Sequence, residues 1–118
     1  MSNDFRIQLE DKLFPVQAFF NIIPDRRFVD TLKAFSKGIG AGFNDVECAF
    51  PGEQEFGEEV INGIEFALHH HEVVITYNQF FSILKDVCDV FINTNKTKKD
   101  EVVTLLMEIE VTLLKYRN

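Results

Sequence analysis

The apolar residues of this chain recur with two different spacings, and the change of spacing delimits the predicted elements. Phe28, Leu32 and Phe35 follow one another at i, i+4 and i+7, which places their side chains on one face of a helix. Pro15 suits the first turn of the preceding helix, and Gly38 is the expected left-handed cap of the second. The helical pattern predicts helices over residues 15–22, 25–37, 78–92 and 98–116.

Between the second and third of these helices the spacing changes to two. Val46 and Cys48 alternate with Asp45 and Glu47, as expected for a strand with one buried face. The same alternation recurs in "IEFAL", and "EVVITY" is rich in β-branched residues. The pattern predicts strands over residues 45–50, 63–69 and 72–77, the last two forming a hairpin. A small antiparallel sheet packed with about four helices is therefore expected, an α+β fold in a single domain over residues 1–118.

Composition adds a second feature, which is an uneven distribution of charge. The 118 residues include 12 Lys and Arg against 19 Asp and Glu. Residues 38–84 contain eight of the acids and no Lys or Arg, whereas the rest of the chain has 12 basic and 11 acidic residues. A surface that serves solubility alone usually intersperses both signs. The acidic balance argues against binding to nucleic-acid phosphate and favours a basic protein partner, a cation or simple solvation.

The acids of this stretch and one aromatic neighbour are the predicted partner-binding residues. If the strands share a sheet, Glu47 and Glu65 emerge on the face opposite the apolar side chains. The acids of the intervening loop add to the same field, and Phe56 is a suitable aromatic anchor. The full set comprises Asp45, Glu47, Glu53, Glu55, Phe56, Glu58, Glu59 and Glu65. A solvated acidic face without a partner is the alternative interpretation.

The run from His69 to His71, followed by Glu72, is the obvious candidate for metal chemistry. Neighbouring strand residues point to opposite faces, so three consecutive histidines cannot all face one ion, and no HExxH or CxxC spacing occurs. No nucleophile stands in a recognisable catalytic frame, and the two cysteines are typical of buried thiols. The sequence predicts no catalytic residue, no metal and no cofactor. A small metal-binding or hydrolytic protein that uses the His69–Glu72 cluster remains the alternative.

The apolar runs and the beginning of the chain bear on location. "MSNDFRIQLEDKL" lacks the basic region and apolar run of a signal peptide. No apolar stretch approaches the roughly 18 residues that a membrane span needs. Isolated cysteines also fit a reducing compartment. We therefore expect a cytoplasmic protein with neither a membrane nor a nucleic acid as its partner.

Residues 43–88 also carry a family resemblance. "VECAFPG", "EFGEEV", "GIEFAL" and "EVVITY", the last followed by a Phe-bearing helix with Cys88, are similar to stretches of bacterial contact-dependent growth inhibition immunity proteins, of the kind paired with ribonuclease toxins. The resemblance implies a small cytoplasmic inhibitor that binds the C-terminal nuclease domain of its cognate toxin without chemistry or cofactor. The charge pattern agrees, since an acidic surface can replace RNA phosphate in a basic cleft. An acidic adaptor for an unrelated basic protein is the other alternative.

Overall fold

The computed structural model describes residues 6–51 and 62–116, and its helices lie close to the predicted ranges. The helices are α1 (Phe14–Ile22), α2 (Asp25–Ser36), α3 (Tyr77–Thr94) and α4 (Lys99–Tyr116), with 3-10 turns at Asp11–Leu13 and Lys96–Lys98. The strands are β1 (Ala41–Phe43), β2 (Val46–Ala49), β3 (Ile64–Leu68) and β4 (His71–Ile75). They pair antiparallel in the order β1-β2-β3-β4. The predicted α+β fold is confirmed, with β1 as an additional strand.

The end of α2 shows why Gly38 is required. Its φ is +75°, its N–H bonds to the carbonyl of Phe35, and the N–H of Ile39 reaches back to the carbonyl of Ala34. This pair of hydrogen bonds is a Schellman motif, which satisfies carbonyls that the helix leaves open. A side chain at Gly38 would also meet the hydroxyl of Tyr116, so the last turn of α4 packs directly on this cap.

A capping box separates β4 from α3. The hydroxyl of Thr76 accepts from the backbone N–H of Gln79, and the Gln79 side chain accepts from the backbone N–H of Thr76. Because Thr76 is the cap, the strand ends at Ile75, two residues before the predicted end at residue 77.

A cluster of phenylalanine rings fills the space between the sheet and the helices. Phe66 of β3 is completely buried, and its ring centroid lies 5.5 Å from that of Phe19 and 5.8 Å from that of Phe20, both on α1. Phe80 of α3 lies 6.1 Å away on the same side of the sheet. These spacings fall within the range of favourable aromatic pairs. α1 packs against all four strands, so the sheet has one face turned to the helices.

The two hairpin turns lie side by side at one end of the sheet. Residues 44–45 join β1 to β2, residues 69–70 join β3 to β4, and the β2–β3 register brings these strand ends together. The first residue of each turn has a positive φ, +55° at Asn44 and +56° at His69. Asn and His adopt this conformation more readily than most residues. The chain between β2 and β3 leaves and re-enters the sheet at its opposite end.

Candidate protein-binding surface

The face of the sheet turned away from the helices carries three carboxylates. Glu47 of β2 and Glu72 of β4 flank Ala67 of β3 in one row across the strands, and Glu65 lies in the next row. The strand spacing places the α-carbons of Glu47 and Glu72 roughly 10 Å apart. Glu65 is diagonal to both at roughly 7–8 Å. We call Glu47, Glu65 and Glu72 the outer acidic face.

The neighbours of these carboxylates are small. A Cβ built at Gly42, which pairs with Glu47, would stand 3.4 Å from the Glu47 Cγ, so the stem of the glutamate lies over β1. Ala67 separates Glu47 from Glu72, and Val74 is 47% exposed in the adjoining row. The outer face therefore presents charged groups above a flat, largely apolar floor.

Glu47 and Glu72 are both exposed, and neither takes part in an ion pair within residues 6–51 and 62–116. Lys12 is the basic residue that lines a surface pocket together with Glu72. Glu65 is half-buried between its neighbouring strands. Glu47 and Glu72 lie on strands separated by β3, roughly 10 Å apart, so their repulsion is weak at physiological salt. Both carboxylates are therefore available to a cationic partner.

Asp45 does not belong to this face. The predicted strand over residues 45–50 put Asp45 on the same face as Glu47. In the structure β2 begins at Val46, and Asp45 occupies the hairpin turn. Its carboxylate is 72% exposed, with Oδ2 4.0 Å from Nε2 of His69 in the adjacent turn. It lines a cleft of about 450 Å³ whose other wall is the last part of α1. We call this space, lined by Ala18, Ile22, Asn44, Asp45, Val46 and Leu68, the Asp45 cleft.

The histidine run does not converge on one point. His69 and His70 form the turn, and His71 opens β4 on the side facing the helices, whereas Glu72 points outward. Among the described residues, no group of three His, Cys, Asp or Glu side chains is arranged to hold a metal. Sequence reasoning assigned Glu72 to the histidines and left it out of the partner-binding set. Strand alternation could have included it, because residue 72 falls on the outer face when the positions are counted back from the buried Ile75.

Five of the predicted contact residues lie outside the described ranges, namely Glu53, Glu55, Phe56, Glu58 and Glu59. The structure does describe the point where the chain re-enters the sheet. Gly63 has a φ of +149°, and a methyl group there would collide with the carbonyl oxygen of Ile75 and the side chain of Val74. The backbone therefore approaches β4 as closely as glycine alone permits, immediately before the strand that carries Glu65.

The two thiols are not candidates for nucleophilic chemistry. Burial and, to a smaller extent, the nearby carboxylate of Asp89 raise the pKa of Cys88 to about 12. A thiol in such surroundings stays protonated and unreactive. Cys48 is also buried, at the inner face of β2.

A different kind of surface follows the outer side of α4. An apolar stripe at helical spacing is exposed there, formed by Val103, Met107, Val111 and Leu114. Glu108 and Glu110 interrupt the apolar sequence of this helix. None of the helices in residues 6–51 and 62–116 combines the length and apolar character needed to cross a membrane. The stripe is the principal exposed apolar feature on the helical side of the described structure.

Comparison with known protein families gives a match over most of the chain. The model of the CDI (contact-dependent growth inhibition) immunity protein family matches residues 12–106. This range contains α1–α3, all four strands and the first part of α4, so it includes both the outer acidic face and the Asp45 cleft. No curated protein matches the chain.

Proposed function

The chain belongs to the CDI immunity protein family, and on that premise we propose that it neutralises its cognate toxin by placing the outer acidic face over the basic active cleft of a ribonuclease domain. Membership accounts for the antitoxin role and for a CDI toxin as the partner. The nuclease and the mode of binding are the proposal. The observation that carries it is the outer acidic face itself, three glutamates on the sheet face turned away from the described helices.

The electrostatic reason lies in what a ribonuclease must attract. RNA carries one negative phosphate per nucleotide, and a cleft that binds it is lined with Lys and Arg. Carboxylates held by a rigid sheet occupy such a cleft in place of phosphate. Residues 38–84 contain no Lys or Arg that would weaken their field. Complementary fields raise association rates from about 10⁵–10⁶ to as much as 10⁸–10⁹ M⁻¹s⁻¹ at low salt, and rapid capture limits damage by a catalytic toxin.

The exposed members of the outer acidic face are the proposed points of contact. Glu47 and Glu72 are exposed, so each is available to a toxin Lys or Arg. Ala67 lies between them and Val74 in the adjoining row, and in the proposal these apolar side chains exclude water from the contact. The predicted loop residues Glu53, Glu55, Phe56, Glu58 and Glu59 extend this surface in the proposal. Inhibition of this kind needs no catalytic group, metal or cofactor, and we place it in the cytoplasm.

The experiment compares two double charge reversals with the same change in net charge. Glu47→Lys/Glu72→Lys alters the outer acidic face, and Asp86→Lys/Glu108→Lys alters exposed positions on α3 and α4. Binding to the toxin domain encoded beside this protein is measured by association and dissociation kinetics at low and high salt. We expect the first variant to associate more slowly and with weaker salt dependence, and to dissociate faster. Thermal melts check that both variants remain folded.

The control variant separates a local contact from a general field. If both reversals weaken binding equally, only net charge matters and the outer face is not the contact. If Glu47→Lys/Glu72→Lys binds as well as the wild type at every salt concentration, the proposal is wrong. The apolar stripe of α4 is then the surface to test next.

A second measurement asks whether the active cleft is covered. A catalytically inactive toxin domain is loaded with labelled RNA and titrated with the immunity protein. The proposal expects competitive release of the RNA, because both ligands need the same basic residues. A stable ternary complex of toxin, RNA and immunity protein would mean that inhibition acts from an adjacent site.

A further inference from the structure

We propose that the Asp45 cleft receives a single Lys or Arg side chain of the toxin, as a second contact beside the outer acidic face. The inference rests on the proposed function in one respect, since the partner is the toxin. The cleft is separate from the outer acidic face because it lies between the hairpin turn 44–45 and the end of α1, on the helical side of the sheet.

The floor of the cleft fits an aliphatic stem. Ala18 and Ile22 line it from α1, and Val46 and Leu68 line it from the ends of β2 and β3. Ile22 is 37% exposed, so this apolar surface is open to a partner. Lys and Arg bury their methylene groups along such surfaces while their charged ends stay at the rim. A short polar side chain would leave the floor uncovered.

The rim of the cleft carries an available negative charge. The Asp45 carboxylate is 72% exposed, and its contact with His69 is 4.0 Å long. Charge-assisted hydrogen bonds between nitrogen and carboxylate oxygen measure about 2.7–2.9 Å. His69 is therefore too far away to form a hydrogen bond with the Asp45 carboxylate, and a guanidinium or ammonium group has direct access to this carboxylate.

The negative charge of the cleft comes from Asp45 and not from the end of α1. A helix C-terminus carries roughly half a negative charge, concentrated in its last turn. At the end of α1 the guanidinium of Arg6 donates to the carbonyl of Phe20, at 2.8 Å, and also pairs with Asp25, so a cation of this chain already lies there. No Lys or Arg is among the residues that line the cleft in the described structure. The carboxylate of Asp45 is therefore the feature that favours a cation in the cleft.

These properties together select one class of occupant. An anion is repelled by Asp45. A bare metal ion lacks the further oxygen, nitrogen or sulfur ligands it requires, since no group of three such side chains is present in the described residues. A purely apolar side chain would leave Asp45 without a partner. A long side chain with a terminal positive charge packs its methylene groups on the apolar floor and pairs its charge with Asp45 at the rim.

The test uses two variants that alter the cleft in different ways. Asp45→Asn removes the charge and keeps the shape, whereas Ala18→Leu keeps the charge and fills the floor with a good helix former. Asp89→Asn, at an exposed position of α3, is the control with the same charge change. We expect Asp45→Asn and Ala18→Leu each to weaken toxin binding tenfold or more, chiefly through faster dissociation, and Asp89→Asn to change it less than twofold.

A double-mutant cycle identifies the partner side chain. Single Lys→Ala and Arg→Ala variants of the toxin domain are measured against wild type and against Asp45→Asn. One toxin variant should lose its effect when Asp45 is already Asn, while the others retain theirs. Equal effects of every toxin variant on both backgrounds would overturn the inference.

The outcomes for the two proposals can be distinguished. If Asp45→Asn and Ala18→Leu bind like the wild type while Glu47→Lys/Glu72→Lys binds weakly, the cleft inference fails and the proposed function stands. If the cleft variants weaken binding and the outer-face variant does not, the cleft is supported and the outer face is not the contact. Melting curves accompany each measurement. If Ala18→Leu perturbs the fold, the result for Asp45→Asn alone tests the inference.

Discussion

The two faces of the β-sheet are made by alternate residues of the same strands, yet one face stabilises the fold and the other is the candidate binding surface. On the inner face, Phe66 is buried among aromatic rings and stabilises the fold by removing apolar surface from water. On the outer face, Glu47 and Glu72 stand exposed on strands separated by β3 and contribute little to stability. Stability and binding should therefore respond to different substitutions, and the following experiments test that separation.

The largest effect is expected from Phe66→Ala. The ring is completely buried between α1 and α3, so its loss leaves a cavity and costs about 3–5 kcal/mol of unfolding free energy. Urea denaturation measures the change. Toxin affinity of the folded fraction should stay near that of the wild type. A loss below about 1 kcal/mol would contradict a rigid, well-packed inner face.

Gly63→Ala is expected to be the next most damaging change. The backbone conformation at φ +149° costs any L-residue about 1–3 kcal/mol, and the added methyl group would collide with the carbonyl of Ile75. Gly42→Ala is the matched control on the outer face, where the new Cβ meets only the Glu47 stem and the Val46 carbonyl at ordinary contact distances. Denaturant melts of both variants should differ clearly. Equal losses would refute the close approach at Gly63.

The unfolding free energy should also depend on pH in the alkaline range, because the Cys88 thiol is buried. Its pKa in the folded protein is raised from about 9 to about 12 by burial. The folded state therefore binds the proton more tightly, so this contribution is fully present below pH 9 and is lost as pH rises towards 12. Each unit of pKa difference corresponds to about 1.4 kcal/mol. Unfolding free energy should fall more steeply with pH in the wild type than in Cys88→Ala, and parallel slopes would rule this out.

The smallest effect on stability is expected from the outer face. Glu47→Gln and Glu72→Gln should each change unfolding free energy by less than about 0.5 kcal/mol, because exposed side chains outside special contacts contribute little. At low salt the sign should be a slight gain, since one repulsion is removed, and added salt should abolish it. Melts at two ionic strengths measure this. A loss above about 1 kcal/mol would show that these carboxylates have a structural role.

The sequence pattern located the main elements because their signals are local. Apolar residues at helical spacing identified the four helices of the described structure to within a few residues. β1 was not predicted. Its three residues, Ala41–Phe43, lie in the glycine-rich stretch "GIGAGF", which has no alternation and low intrinsic strand preference. This strand exists because β2 offers it hydrogen bonds, which is a tertiary effect.

The candidate surface was predicted only in part. Alternation placed Glu47 and Glu65 on the outer face correctly, because both lie inside strands whose apolar residues are clear. It placed Asp45 on that face too, but the residue belongs to a turn and lines a cleft beside α1. Glu72 was grouped with its histidine neighbours in sequence. The two-residue turn at 69–70 sets the β3–β4 register and brings it level with Glu47.

Three features of this protein can be read from the sequence alone: the concentration of negative charge in residues 38–84, the two hydrophobic periods, and the residues that alternate within each strand. These depend on which residues are neighbours along the chain. Strand pairing and helix packing bring Glu47, Glu65 and Glu72 to one face and set Asp45 beside the end of α1. These relations could not be read from the sequence, because hydrogen-bond register and the placement of a helix across a sheet join residues distant in sequence, and no local period encodes them.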